Sequence, residues 1–494
     1  MLIQMSTGRE IKQSLCRLTG ALLFLCLASC AQNPVSGDHD FVMLSETSEI
    51  AIGRTNHPKI IAEYGRYENE AIQTYVQEVG ERLANVSHRK DLTYRFTVLD
   101  SPVINAFALP GGYIYITRGL MAYLSSEAEL AAVLGHEIGH VTARHGVRQQ
   151  SAAQATNLGY AIGAILFPEL RSEPSQDMFN ILGGALLSGY GREHELQSDG
   201  LGAEYLARSG YDPKAMLDVI RVLKDQEIFA AEQAKKQGRE VKGYHGLFAS
   251  HPDNDTRLHE AVSSADKFAQ SQDGKTARPE YFQQIDGMTF GDSEKQGIRS
   301  EHHFYHREMG FAVDFPVSWQ INNNPTSLQA ISPQGQAIIE MGVADINRKL
   351  SPKAFIKERL NINKLKSGQN LNAHGLDGYT GLLDIEDKAA RVAVIYLRDR
   401  AFIFFASVKN NKNFSQFDHD FIATANSFHA LTKDEFELAK ALKLDIVTVT
   451  KKDSYAAWAK QTRITNSPLQ QLRLLNGDYP ATELKSGKQA KRVK

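Results

Sequence analysis

The chain has few cysteines and no surplus of charge of either sign. Its 494 residues include three cysteines, Cys16, Cys26 and Cys30, so residues 31–494 have no thiol with which to form a disulfide. Lys and Arg number 56 against 57 Asp and Glu, which gives a formal net charge of −1. A chain without a basic surplus is not expected to bind nucleic acid, because such binding depends on many Lys and Arg contacts to phosphates.

Long apolar runs are also scarce, and the clearest one lies near the N-terminus. Leu18–Leu27 is apolar but shorter than the roughly 20 residues that a membrane-spanning helix needs. Arg9, Lys12 and Arg17 precede it, and the sequence LASC at residues 27–30 ends it. This order resembles a bacterial lipoprotein signal, in which the cysteine is lipidated after cleavage. An ordinary secretory signal is the alternative.

Cleavage before Cys30 would remove residues 1–29 as a signal peptide and leave a protein attached to a membrane by lipid at that cysteine. Ala31 and Gln32 follow it. In Gram-negative bacteria an Asp directly after the lipidated cysteine retains a lipoprotein at the inner membrane, and the absence of Asp here favours the outer membrane. The N-terminus therefore predicts a periplasm-facing lipoprotein of the bacterial cell envelope, at the outer membrane.

The strongest chemical signal is the sequence HEIGH at residues 136–140. On an α-helix, His136 and His140 leave the same face, so their neutral imidazoles can bind one Zn²⁺. Glu137 stands beside a ligand and can take a proton from a metal-bound water. Because this motif also arises by chance, the interpretation requires a third ligand.

The neighbouring residues specify a helix. Ser126 and Glu129 form a Ser-x-x-Glu capping box at its start. Apolar residues then recur at spacings of three and four, at Leu130, Val133, Leu134 and Val141. The two histidines continue this buried face, so we expect the metal to lie beneath the helix and away from solvent.

A second helix, over about residues 191–209, offers the third ligand. Glu193, His194 and Glu195 compete for this role, and only one of them can face the metal because successive helix positions differ by about 100°. Glu195 shares its face with Asp199, which can accept the free N–H of a ligand histidine. The same face continues through small and apolar residues, at Gly202, Ala203 and Leu206. The pattern therefore favours Glu195.

Several further motifs accompany HEIGH. They are NPVSG (33–37), NAFALPGGYIYITRGL (105–120), the pattern Arg192-x-x-Glu195-x-x-x-Asp199, and SHP (250–252) with Arg257. Over about residues 33–285 the chain thereby resembles the HtpX and CAAX-prenyl-protease type of gluzincin metallopeptidases, in particular the bacterial periplasmic members. The resemblance implies an endopeptidase with one Zn²⁺ per chain on His136, His140 and Glu195, and with Glu137 as the base.

The resemblance also implies a role for His251, the histidine of the SHP segment. In this family that histidine lies near the metal, where it would stabilise the oxyanion or occupy the open metal position in a latent state. A histidine that precedes a proline can equally be a turn residue.

Elsewhere in this region the sequence predicts a polar tether at 33–40 and strands at 93–98 and 113–117. The second strand directly precedes the metal helix, and an extended substrate commonly pairs with an edge strand in that place. A plain core strand is the alternative. Apolar segments at 158–167 and 178–187 indicate either a helical lid over the cleft or a buried helical hairpin.

After a polar linker at 291–300, short alternating strands begin. This part weakly resembles a PsbP-like α/β sandwich, through GFAVDFPVSW (310–319) and ATANSF (423–428). From about Leu444 a βααβ pattern resembles a divergent LysM module, a type that binds N-acetylglucosamine polymers such as peptidoglycan. Its basic residues favour either an anionic surface or solvent; they are Lys485, Lys488, Lys491, Arg492 and Lys494.

Together these patterns predict an α+β protein: a signal peptide (1–29), a helix-rich gluzincin metallopeptidase domain with a small sheet (30–290), an α/β sandwich (301–432) and a LysM-like module (444–494). The predicted function is zinc-dependent hydrolysis of peptide bonds in misfolded or misassembled envelope proteins. Expected partners are polypeptide substrates, the membrane through the N-terminal lipid, and peptidoglycan as a candidate. The alternatives are a zinc-containing chaperone or assembly factor with little proteolysis, and a peptidoglycan-associated hydrolase.

The choice among the three neighbouring candidates can be tested by metal content. We expect Glu195→Ala to lose stoichiometric zinc because it removes a ligand, whereas Glu193→Ala and His194→Ala retain it. Atomic absorption on the three purified variants measures this directly. Full zinc content in Glu195→Ala would overturn the assignment and leave His194 or His251 as the candidate.

Overall fold

The computed structural model describes residues 30–42, 44–151, 191–236, 274–324, 327–346, 350–385 and 388–494. The predicted signal peptide, the apolar segments at 158–187, and the SHP segment with His251 and Arg257 lie outside these residues. Among the helices of the described ranges, none combines the length and the apolar character needed to cross a bilayer.

The helices are numbered in chain order. They are α1 (Glu46–Tyr64), α2 (Glu70–Ala84), α3 (Arg118–Tyr123), α4 (Glu127–Thr142), α5 (Arg192–Arg208), α6 (Ala215–Lys236), α7 (Arg278–Ile285), α8 (Pro352–Glu358), α9 (Phe414–Ser427), α10 (Lys433–Leu438), α11 (Tyr455–Ala459) and α12 (Pro468–Asn476). Helix α4 carries HEIGH, and α5 carries the candidate third ligand.

The strands divide into a peptidase-side set and a sheet-rich set. The first comprises β1 (Cys30–Gln32), β2 (His39–Phe41), β3 (Arg95–Leu99), β4 (Ala106–Leu109), β5 (Tyr113–Thr117), β6 (Thr289–Phe290), β18 (Leu442–Thr448) and β19 (Gln489–Val493). The second comprises β7 (Ile298–Ser300), β8 (His303–His306), β9 (Phe311–Asp314), β10 (Gln320–Asn323), β11 (Leu328–Ile331), β12 (Ala337–Asp345), β13 (Lys366–Ala373), β14 (Leu376–Ile385), β15 (Lys388–Leu397), β16 (Arg400–Val408) and β17 (His429–Ala430).

The start of α4 follows the predicted capping pattern with one change. The Ser126 hydroxyl accepts the backbone N–H of Glu129 at 3.1 Å, as a helix N-cap should. The Glu129 carboxylate reaches back to the N–H of Ser125, at 2.8 Å, one residue earlier than a standard capping box. Every residue of α4 is buried, so packing on all sides specifies this helix in addition to its cap.

The small sheet beside α4 corrects one expectation. Its order is β3-β5-β4, so Tyr113–Thr117 is the central strand: of the two interpretations of this strand, the edge strand is wrong and the core strand is confirmed. Strand β4, for which the sequence analysis predicted no strand, pairs antiparallel with β5 and forms the edge next to α4. Gly111 and Gly112, with φ of 83° and 85°, make the tight connection between these two strands.

The prediction of a polar tether at 33–40 is also wrong, because these residues are part of a hairpin. Strands β1 and β2 pair antiparallel, with Cys30 opposite Phe41. The Asn33 side chain accepts the N–H groups of Val35 and Ser36 and donates to the Asp40 carboxylate at 2.7 Å. Asn in this role closes turns of the Asx type, which explains why the NPVSG segment is compact.

The sheet-rich region forms two antiparallel sheets. Seven strands have the order β10-β11-β12-β16-β15-β14-β13, and four have the order β17-β9-β8-β7. Along β15, Ala393 and Ile395 pack with α9 while Val392 and Val394 pack with α8, so the two helices cover opposite faces of the larger sheet. This arrangement confirms a sheet-rich α/β region after the peptidase part.

The expected polar linker at 291–300 is part of the folded structure. The buried guanidinium of Arg118 in α3 donates to the carbonyl groups of Thr289, at 3.4 Å, and Gly291, at 2.5 Å. Arg299 forms an ion pair with Asp292 at 2.7 Å. These contacts attach the connection to the peptidase region, so it does not behave as a free linker.

The 442–494 segment has the predicted βααβ order, in β18, α11, α12 and β19, but it is not a separate unit. Strand β18 pairs with β19 and also with β6. Tyr455, Trp458 and Leu472 belong to the same hydrophobic core as α4 and α2. Apolar burial therefore joins this segment to the peptidase region in one core.

Lys491 is buried where this segment packs on the peptidase region. Neither expectation for it, contact with an anionic surface or with solvent, is correct. Its side chain is 0% exposed, and its ammonium group donates to the carbonyls of Ala122 and Leu124, both at 2.8 Å. Burial lowers the pKa of Lys491, against the opposing effect of the nearby Glu129 carboxylate. Burial also raises the pKa of Glu129 in the first turn of α4.

The buried lysine should be necessary for a stable metal helix. Lys491→Met removes the donor for two buried carbonyls and the partner of a buried carboxyl group, at an expected cost of about 3 kcal/mol. We expect lower stability in urea unfolding and earlier loss of bound metal. Deletion of 444–494 should be more severe and abolish casein cleavage.

The matched control is Lys488→Ala, since Lys488 is exposed in the same segment and should change stability by less than about 0.5 kcal/mol. A deletion variant that keeps wild-type stability and cleavage would contradict the shared core.

Candidate metal centre

Three buried side chains converge below α4. The Nε2 atoms of His136 and His140 lie 3.0 Å apart. The Glu195 carboxylate, from α5, lies 3.5 Å from each of these nitrogens. His136, His140 and Glu195 are 5%, 1% and 0% exposed, and within the described ranges this is the group of His, Cys, Asp or Glu residues that could hold a metal ion.

The close crossing of α4 and α5 produces this convergence. Gly139 faces Ser198, and a Cβ atom on Gly139 would lie 3.1 Å from the Ser198 Cα. Gly135 faces Gly202 in the same way, at 3.4 Å. Small residues at the crossing let the two backbones approach, and this brings Glu195 onto the histidine pair.

The outer ring nitrogen of His136 has a carboxylate partner. His136 donates from Nδ1 to Asp199 at 2.8 Å, so its Nε2 lone pair faces the cluster. Asp199 is itself buried. A carboxylate in this position orients a ligand imidazole and increases its basicity.

The cluster fits a divalent metal. His136 presents a lone pair and Glu195 a carboxylate oxygen to the same point, and such acceptors repel one another unless a cation lies between them. Two ligand atoms on a tetrahedral Zn²⁺ with bonds of 2.0–2.1 Å are about 3.3 Å apart, which is close to the observed 3.0 and 3.5 Å. Two imidazoles and one carboxylate are also a donor set that leaves a fourth position open.

Of the other residues predicted for the site, Glu137 is buried in α4 between the two histidines. Glu193 is exposed, and His194 is half-buried, so of the three neighbouring candidates only Glu195 enters the cluster. His251 lies outside the described residues, and its place near the metal stays a prediction.

Sequence reasoning missed His145, which lies directly against the cluster. Its Nδ1 is 2.9 Å from the Nδ1 of His140, and its ring stacks on His194 with centroids 4.2 Å apart. Burial, with a smaller contribution from the neighbouring His194, lowers the pKa of His145 to about 3. The signal was available, since His145 follows HEIGH, but the spacing of five residues does not fit a helix face.

Sequence reasoning also missed the ion cluster that holds the end of α4. Glu49 of α1 accepts from Arg89 at 2.9 Å and from the Nε of Arg144 at 2.6 Å, and all three are buried. Arg89 also donates to the carbonyl of Val141 in the last turn of α4, at 3.1 Å. Charges separated by 40 to 95 residues leave no local pattern in a sequence.

A small pocket adjoins the cluster. Its walls come from the end of β4, from the last turns of α4 and from the ion cluster, and its lining is Glu49, Ala108, Leu109, Pro110, Gly111, His140, Val141, Arg144, Gly146 and Val147. One candidate ligand, His140, therefore faces a small cavity beside the edge strand of the sheet.

Two buried histidines on one helix, a glutamate from the next, and an adjacent edge strand are the arrangement expected of a gluzincin-type metal site. Residues 70–265 match the family model of peptidase family M48. This part of the chain is similar to that family.

Relatives in the curated proteins agree with this assignment. The beta-barrel assembly-enhancing protease of Yersinia pestis is 30% identical over 233 residues, which are 45% of this chain and 45% of that protein. The mitochondrial metalloendopeptidase OMA1 of Arabidopsis thaliana is 33% identical over 141 residues, 28% of each chain. The chain thus spans under half the length of either relative.

Among solved structures, cyanobacterial PsbP from Synechocystis is 14% identical and covers 27% of this chain and 95% of its own. The TM-score is 0.22, and at that value the likeness carries no argument about the sheet-rich region. The PsbP-like assignment of the sheet-rich region stays a prediction, as does the LysM-like assignment of 444–494.

Proposed function

We propose that the protein is a zinc-dependent metalloendopeptidase that hydrolyses peptide bonds in misfolded or misassembled proteins of the bacterial cell envelope. The observation that carries the proposal is the buried convergence of His136, His140 and Glu195 around one point, with Glu137 on the same helix. The match to peptidase family M48 supports the same chemistry.

In this proposal His136, His140 and Glu195 hold one Zn²⁺ per chain, with Asp199 orienting His136. When bound, the ion would polarise the scissile carbonyl and lower the pKa of water toward about 7. Glu137 would accept the water proton and later give it to the leaving amine. His251 would contribute to oxyanion stabilisation on the strength of the family resemblance.

Polypeptide substrates suit the surroundings of the cluster. Within the described ranges β4 is the free edge of its sheet, and an extended peptide can add to such an edge through main-chain hydrogen bonds. The pocket beside His140 lies next to this edge and is lined by apolar residues, among them Leu109 and Val141, together with the charged Glu49 and Arg144. A substrate bound along β4 would pass the metal centre.

The Yersinia pestis relative is named as a protease that enhances β-barrel assembly. The envelope role proposed here extends that description to this chain. A chaperone or assembly factor with little proteolysis is the second candidate function. The complete set of Glu137 and the three candidate ligands favours the peptidase, because a protein that only binds clients has no need of the base.

The proposal is tested first at the base. Glu137→Gln should keep wild-type zinc content, because no ligand is changed, and should lose casein hydrolysis by at least about 100-fold, because the proton acceptor is removed. Peptide release and zinc content are measured on the same preparation. Cleavage near the wild-type rate would remove Glu137 from its role and favour another base.

We also propose that lipid at Cys30 anchors the protein at the outer membrane, facing the periplasm. The β1–β2 hairpin begins at Cys30 itself, and Asp40 of β2 lies 3.6 Å from Arg148, close to the metal centre. Anchoring at this point would hold the cleft near the membrane surface, where envelope proteins assemble. Peptidoglycan is a candidate partner of the 444–494 segment.

Cys30→Ser tests the anchor. We expect loss of palmitate labelling and transfer of the protein to the soluble envelope fraction, because the acyl chains supply most of the membrane affinity. Casein cleavage should be unchanged in this variant. Membrane retention of Cys30→Ser, together with an unlabelled wild type, would show that the lipoprotein interpretation is wrong.

A further inference from the structure

A row of three polar side chains leads away from the metal centre on the side of His140. The Nδ1 atoms of His140 and His145 lie 2.9 Å apart. The Nε2 of His145 lies 2.9 Å from the side-chain oxygen of Gln197, which is half-buried on α5. The row therefore connects a candidate ligand on α4 to a neutral amide on the helix that carries Glu195.

In the orientation that the Gln197 amide has in the structure, this outer end sets the direction of the hydrogen bonds along the row. The Gln197 oxygen can only accept, so the Nε2 of His145 carries the proton and donates. A neutral imidazole that donates from Nε2 has a bare Nδ1, which then accepts from His140 Nδ1–H. The Ser198 hydroxyl, 3.4 Å from the Nδ1 of His145, is a second possible donor to the same atom. The remaining lone pair of His140 is on Nε2, in the cluster.

We propose that His145 and Gln197 are positioning residues that select the tautomer of His140 with its Nε2 lone pair directed at the metal. This inference rests on the proposed metal site and goes beyond its ligands. The two ligand histidines are then oriented by different chemistry. The carboxylate of Asp199 accepts the hydrogen bond from His136. A neutral imidazole, itself bonded to an amide, accepts the hydrogen bond from His140.

The hydrogen bonds along this row can also run in the opposite direction, and that arrangement suits the metal-free centre. If the Gln197 amide turns over, its NH₂ donates to the Nε2 of His145, whose Nδ1–H donates to His140. The Nε2–H of His140 then donates to the Nε2 of His136, 3.0 Å away. The metal selects the first direction because it needs a lone pair where the reversed row places a proton.

A break in the helix places His145 within reach of His140. In a continuous helix a residue five positions on would point about 140° away. Here α4 ends at Thr142, Arg144 adopts φ of 58°, and helix resumes over 145–151. Arg144 is held in this unfavourable conformation by buried bonds to Glu49 and by donation to the carbonyl of Leu44 at 2.9 Å. The ion cluster thus contributes to ligand orientation.

The test is zinc affinity of the full chain, measured by competition with a chromophoric chelator. Gln197→Met keeps the length of the side chain but removes the acceptor, and Gln197→Glu keeps an oxygen that only accepts. We expect Gln197→Met to lower zinc affinity by about 10–100-fold, the usual effect of losing an outer hydrogen-bond partner of a ligand, and Gln197→Glu to stay close to wild type. A role in packing alone would affect both substitutions similarly.

His145→Phe is the second variant, since it keeps a ring to stack on His194 but removes the acceptor for His140. Its zinc affinity should fall by about 10–100-fold. The visible spectrum of the Co²⁺-substituted protein should change with it, because the orientation of one ligand is altered. Glu193→Gln, on the exposed face of α5, is the matched control and should leave both readouts unchanged.

Equal affinities for wild type, Gln197→Met and His145→Phe would overturn the inference, while loss of zinc in Glu195→Ala would still support the metal site. Weak zinc binding by the wild type itself would overturn both. If His145→Phe does not fold, the two Gln197 variants decide, because Gln197 lies at the half-buried end of the row. Loss in both the Met and the Glu variants would also count against the tautomer mechanism.

Discussion

The α4–α5 crossing is the contact on which the rest of the site depends. Three acceptor groups from two helices can meet at one point only where the backbones nearly touch, and Gly135, Gly139 and Gly202 make that approach possible. A side chain at Gly139 would press on the Ser198 backbone and push the two helices apart. Because ligand geometry tolerates errors of only a fraction of an ångström, the glycines matter as much as the ligands.

Both ends of α4 are held by buried charge from distant parts of the chain. At the start, Lys491 serves the carbonyls that precede the helix, close to Glu129. At the end, Arg89 contacts the last turn and shares Glu49 with Arg144. Buried ionic groups are costly unless they are fully paired, so their value here is better understood as specificity of position than as net stability. They fix a helix whose ligands require a defined depth and rotation.

The 442–494 segment is a structural part of the same region. Its βααβ order alone suggests a portable module, yet Trp458 and Tyr455 lie in the core of the peptidase region and β18 pairs antiparallel with β6. Any ligand that this segment binds would therefore act on a body continuous with the metal helix. The sheet-rich region is attached less deeply, since its apolar residues form cores of their own.

The sequence by itself determined the local parts of this protein. Helical spacing placed His136 and His140 on one face and Glu195 with Asp199 on another. Capping located the start of α4, alternation located β5, and the tail has the predicted βααβ order. Only the tertiary structure decided that β4 is the edge strand, that Lys491 is buried, and that His145 returns to His140. These depend on strand pairing, on a left-handed residue and on charges far apart in the chain. Periodicity reports which face of an element is buried, and it carries no information about which distant group that face meets.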